Sequence, residues 1–203
     1  MGQELTFARK AILITDNKRV SITLKGVLNK HRIDVESGYV SLHSVPMMKK
    51  IAGKTKNTAF IRNELYRYIR EIGAPAVIIM DYHIDLSQEG ERDPDTRLLL
   101  KTYIVSYLIL SKGQGLEKLR GNFILLGEPS QMKELSALES NPSNILNLLS
   151  TKDAAVNSII GEFRERAERL KSLISFKAID TELPAGEMID AVNKYLVSNA
   201  GAR

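Results

Sequence analysis

Three residues at alternating positions, Asp81, His83 and Asp85, follow directly on the apolar run Ala76-Val77-Ile78-Ile79-Met80. Carboxylates and an imidazole can bind a divalent cation or move a proton, and their place just beyond an apolar segment is informative. Five consecutive apolar residues after the breaker Gly73-Ala74-Pro75 suit a short strand covered on both faces, which is the setting of a central strand in a parallel sheet. Ligands of open α/β sheets gather outside the carboxyl ends of the strands. Asp81 is the first polar residue there, so the chemistry of this chain is expected around it. Side chains along a loop diverge, which argues against Asp81, His83 and Asp85 closing on one metal ion and leaves His83 as a surface imidazole.

The remaining elements must carry that strand end. Ala11-Ile12-Leu13-Ile14-Thr15 is a second apolar run, ending in Asp16-Asn17 before a helical pattern from Lys18 to about His31. The segment from Asp34 to Leu42 reads as a strand with Gly38 as a bulge, and the basic stretch from His43 to Asn57 reads as a loop. A helix is expected over 58–72, capped by Asn57 or Thr58 and stopped by Gly73. Asp93-Pro94-Asp95 starts another, running to about Ser111, whose apolar residues wrap beyond one face. Its outer side calls for a cover, either a second copy in a homodimer or extra helices of the same chain. A fourth strand is expected over 122–127. Helical patterns follow over 131–138, from Asn141-Pro142 to about Leu149, and from Ser150 or Thr151 to about Leu173. A fifth strand over 175–180 and a closing helix from Pro184 to about Ser198 complete a parallel sheet with right-handed crossovers.

Composition sets the outer bounds. The 203 residues, 43% hydrophobic and 26% charged, suit one globular domain. The absence of cysteine excludes disulfides and thiolate metal sites, and fits a reducing compartment. The first ten residues lack a signal-peptide core and the apolar runs are too short to span a bilayer, so a cytoplasmic protein without a membrane partner is expected. The net charge of +5 divides unevenly, with +8 over residues 1–75 and −3 over residues 76–203. The excess centres on Lys49, Lys50, Lys54 and Lys56. With no aromatics interleaved to stack bases, a solvated loop explains it better than nucleic-acid binding does. Gly53-Lys54-Thr55 lacks the first glycine and the preceding strand of a phosphate-binding loop, and His43 and Ser44 lack a recognisable partner for nucleophilic chemistry.

In this order the residues resemble a response-regulator receiver domain. The family's acidic pair after the first strand is matched by Ile12-Leu13-Ile14-Thr15-Asp16-Asn17, and its phosphoacceptor strand by Val77-Ile78-Ile79-Met80-Asp81. Its last strand and helix are matched by Phe176-Lys177-Ala178-Ile179-Asp180 and by the stretch from Pro184 to Val192. The resemblance implies a flavodoxin-like five-stranded parallel sheet of order 2-1-3-4-5 across 1–203 as one domain. It also implies Mg²⁺ held by Asp16, Asn17 and Asp81, with Asp81 the phosphoacceptor, because phosphoryl transfer to a carboxylate needs a cation to gather the negative charge.

Several positions depart from that pattern. Gly127 stands where the family has a hydroxyl residue, and Asp180-Thr181-Glu182 where it has a lysine; Lys177 lies earlier in the strand. About 48 residues, Gly127 to Ile174, separate strands four and five, so two extra helices are expected in an insertion over about 128–174. No DNA-binding domain is expected after the last helix. The expected function is therefore that of a stand-alone, atypical receiver acting in signal transduction through a protein partner, a kinase or a downstream effector, and regulatory rather than enzymatic. The alternative is a Mg²⁺-dependent phosphoryl or nucleotide hydrolase using Asp16, Asp81 and Asp85.

Overall fold

The computed structural model describes residues 9–15, 17–35, 76–82, 100, 104, 107–108, 120–149 and 154–200. They form a sheet of five strands, β1 (Arg9–Ile14), β2 (Ile33–Val35), β3 (Val77–Asp81), β4 (Gly121–Gly127) and β5 (Ile174–Asp180). Every pairing is parallel and the order is β2-β1-β3-β4-β5, a flavodoxin-like α/β arrangement. Ile14 lies beside Met80, Asp81 beside Leu126 and Gly127 beside Asp180, so β1, β3, β4 and β5 all end on one edge.

The apolar runs explain the layering. Every described side chain of β3 and β4 is buried, because both faces of these central strands are covered. One face, carrying Ala11, Leu13, Val77, Ile79, Ile124 and Leu126, packs on α1 (Lys18–Lys30) and on the closing helix after β5. The other, carrying Ile12, Ile14, Ile78, Met80, Phe123 and Leu125, packs on helical residues Leu100, Ile104, Tyr107 and Leu108 and on the segment between β4 and β5. Those four residues are at most 1% exposed within the chain's own core, so the chain itself covers the part of that helix which is described.

The connection between β4 and β5 holds more helices than the sequence pattern implies. After a single 3₁₀ turn at Pro129–Gln131 come α2 (Met132–Ser140), a second 3₁₀ turn at Pro142–Asn144, α3 (Ile145–Leu148), α4 (Ala154–Glu165) and α5 (Ala167–Leu173). The break at Asn141-Pro142 falls where the sequence pattern places it, whereas the helix expected to run to about Leu173 is divided. Asn141 adopts extended backbone, accepts the Ser143 N–H on its side chain and is followed by a proline pre-set for a helical start. Arg166, at φ −125° and ψ 58°, leaves helical geometry and separates α4 from α5. Arg164 donates to the Leu146 carbonyl at 2.9 Å, serving an oxygen near the open end of α3. The closing helix is α6 (Ala185–Ala200).

Element boundaries otherwise follow the expected ones closely. The second strand begins at Ile33, and its expected continuation beyond Val35 lies outside the described residues, as do the basic loop and the helix expected over 58–72. Near the amino end of the sheet, Tyr195 of α6 bonds both the Ser175 hydroxyl (2.6 Å) and the Ser175 carbonyl (3.1 Å). Burial of its phenol pushes the pKa up to about 12, against the partly compensating bond to Ser175. Among the described residues no helix is long and apolar enough to cross a membrane.

Candidate functional site at the carboxyl edge

Asp81 ends the central strand and is 9% exposed. Its neighbours across the edge are set by register. Thr15 follows Ile14, the residue before it in the β1 ladder, and is 3% exposed; Leu126 and Gly127 close β4 on the other side. Val77 and Ile79 belong to the core under α1 and α6, so strand alternation puts Asp81 on that same side and Tyr82 on the other. Of the other residues expected at this edge, Asp16, His83 and Asp85 lie outside the described residues, as do His43, Ser44 and Lys49 to Lys56.

Asn17, expected to offer a neutral oxygen to a cation, is the N-cap of α1. Its side-chain oxygen accepts the Val20 N–H at 3.1 Å, and its own N–H donates to Thr15 Oγ1 at 3.1 Å. This local logic follows from the sequence, since a short amide before a helical run answers one of the free amides of the first turn. The described residues thus bring one carboxylate, Asp81, to the end of the central strand, and the Asn17 amide oxygen is engaged by the first turn of α1. Among the described residues no group of three His, Asp or Glu that could hold a metal occurs.

Gly127 explains why the expected hydroxyl is missing. A Cβ built there would run into Leu135 Cδ1, and would sit 3.2 Å from Gln131 Oε1 and 3.4 Å from Gln131 Cβ. The space beyond β4 is occupied by Gln131 and by Leu135 of α2, and the Glu128 N–H to Gln131 Oε1 bond (3.0 Å) caps the 3₁₀ turn that leads from the strand into that helix. Lys177 does not stand in for the missing lysine. It lies beside Ile124, three residues before the strand end, and its Nζ bonds Glu139 Oε1 of α2 at 2.7 Å.

Two contacts at this edge have no signal in the sequence. Tyr82, 2% exposed, continues the β3–β4 ladder through its N–H to the Leu126 carbonyl (2.8 Å) and donates its hydroxyl to Glu134 Oε1 of α2 at 2.6 Å. Arg19, in the first turn of α1, donates to the Leu183 carbonyl at 3.1 Å and to the Thr181 carbonyl. The turn it grips is shaped by Asp180 Oδ1 accepting the Glu182 N–H (2.8 Å) and by the Thr181 N–H on the Gly127 carbonyl (2.9 Å). Partners 162 and 164 residues away in sequence leave no local pattern from which this link could be read.

Comparisons with protein-family models, with curated proteins and with solved structures find no match to this chain.

Proposed function

We propose that this chain is a regulatory interaction module: an atypical response-regulator receiver in signal transduction, with a partly degenerate aspartyl-phosphate site, acting by binding a protein partner. The observation that carries this reading is Gly127. In a sheet of order 2-1-3-4-5 with Asp81 at the end of the central strand, the position beside the phosphoacceptor that would hold a hydroxyl is backed by Leu135, whose methyl would have to shift to admit a side chain. Lys177, held by Glu139 at the open side of β5, supports the same conclusion, because no lysine of β5 is then directed to Asp81. A phosphoryl group arriving there would lack the hydroxyl and the lysine that stabilise its charge. Recognition of a kinase or a downstream effector through the helical surface is then the function that remains.

The test is incubation of the full chain with Mg²⁺ and acetyl phosphate, followed by intact mass. No stable adduct is expected, and Asp81→Asn is expected to give the same spectrum as the parent. An adduct abolished by Asp81→Asn would instead make the chain a phosphorylated switch. Turnover of phosphate esters lost in Asp16→Ala would make it the Mg²⁺-dependent hydrolase.

A further inference from the structure

The carboxyl edge has two walls on the α1/α6 side: the first turn of α1, and the Thr181–Leu183 turn that leads from β5 to α6. They follow strands that are not neighbours, since β3 and β4 lie between β1 and β5. Arg19 joins the two walls by holding the Leu183 and Thr181 carbonyls at once. A guanidinium fork can do this, whereas an ammonium presents a single point of charge. Arg19 thus spans from the wall after β1 to the wall after β5, with β3 and β4 between those strands in the sheet and Asp81 on the face that α1 and α6 cover. Asp81 terminates a strand, the place where a side chain ordinarily meets water, yet it is 9% exposed.

We propose that Arg19 is a strap that closes this side of the carboxyl edge over Asp81 and keeps small reactants from its carboxyl group. The proposal rests on reading Asp81 as the residue around which the edge is built. The strap can be cut without dismantling its anchor. The Asp180 to Glu182 bond, the Thr181 to Gly127 bond and the Met188 N–H on the Pro184 carbonyl (3.0 Å) do not involve Arg19. Exposed hydrogen bonds of this kind contribute little to global stability, so the variant is expected to fold.

The experiment is amidation of the folded chain by a water-soluble carbodiimide with glycine ethyl ester, mapped by peptide mass spectrometry in the parent, Arg19→Ala and Arg19→Lys. In the parent, Asp81 is expected to react much more slowly than the exposed Glu187. Arg19→Ala is expected to raise the Asp81 rate severalfold with Glu187 unchanged, and Arg19→Lys to fall between the two. Hydrogen exchange at Thr181, Glu182 and Leu183 should rise in Arg19→Ala in parallel. A purely structural tie would raise exchange in the turn and leave the Asp81 rate where it was, which overturns the proposal, as would an Asp81 in the parent as reactive as Glu187. Should Arg19→Ala fail to fold, Arg19→Gln carries the same comparison. The phosphodonor experiment reads a different quantity, so an adduct there refutes the degenerate-site reading without deciding the strap.

Discussion

The ammonium of Lys177 and the carboxylate of Glu139 lie 2.7 Å apart, and the second oxygen of that carboxylate accepts the Ala178 N–H at 2.9 Å. β5 is the last strand in the sheet order, so this amide belongs to the open side of an edge strand, a place where another chain could pair. One helix of the insertion therefore occupies that amide and also engages the only lysine of β5. The same helix closes the space at Gly127 through Leu135 and takes the Tyr82 hydroxyl on Glu134. Its placement joins the fate of the carboxyl edge to that of the β5 edge.

Replacing Glu139 by alanine is expected to lower stability by about 1 kcal/mol. A charge-assisted bond to a backbone amide is lost, but both partners of the ion pair are about a third exposed (30% and 33%), so the pair itself contributes little. Urea midpoints for Glu139→Ala, Lys177→Ala and the double variant measure this, and the coupling should shrink in high salt. Freed of its guard, the edge is also expected to self-associate more readily, which light scattering would detect.

Gly127→Ser, which adds a hydroxyl at the end of β4, is expected to destabilise the fold by about 2 kcal/mol, because the new Cβ meets Leu135 Cδ1. Combining it with Leu135→Ala should recover part of the loss specific to the clash, although the alanine opens a cavity of its own. Thermal melting of the two single variants and the double variant gives the answer; a Gly127→Ser variant as stable as the parent would mean that Leu135 yields without cost.

The sheet could be read because its signal is local. Continuous apolar runs at 11–14, 76–80 and 123–126, each followed by polar residues and then helical periodicity, point to parallel pairing as the arrangement that covers both faces. Asp81 was legible for the same reason, being the first polar residue after such a run. Three things were not. Asn17 carries the same functional group whether it ligates or caps, and only its bond to Val20 distinguishes them. The additional helix before β5 depended on the backbone at Arg166, where hydrophobic periodicity says nothing. Arg19 and the Tyr82–Glu134 pair join segments brought together by the tertiary fold, and sequence spacing carries no trace of that.

Tyr195 gives stability a defined alkaline slope. Its pKa in the fold, raised to about 12 by burial, stands above the ordinary phenol value of about 10, so the unfolded chain releases this proton first. The contribution is complete below about pH 10 and is lost as the pH climbs through about 12. Urea midpoints should therefore fall from about pH 9 to about 11 in the parent, and fall less steeply in Tyr195→Phe. At neutral pH that variant is expected to cost about 1 kcal/mol, for the bonds to Ser175.

Asn17 separates the capping role from metal binding. Asn17→Ala should lower stability by about 1 kcal/mol through loss of the bond to Val20, and by the same amount with or without Mg²⁺. Asn17→Asp keeps an acceptor at the cap and adds a negative charge at the helix N-terminus, so its melting temperature is expected to match or slightly exceed the parent's. The decisive comparison is the parent's melting with and without millimolar Mg²⁺. An ion bound to the native state alone would raise the midpoint by mass action. A flat response fits the cap and the degenerate site, whereas a rise that disappears in Asn17→Ala would make Asn17 a ligand and return the carboxyl edge to phosphoryl chemistry.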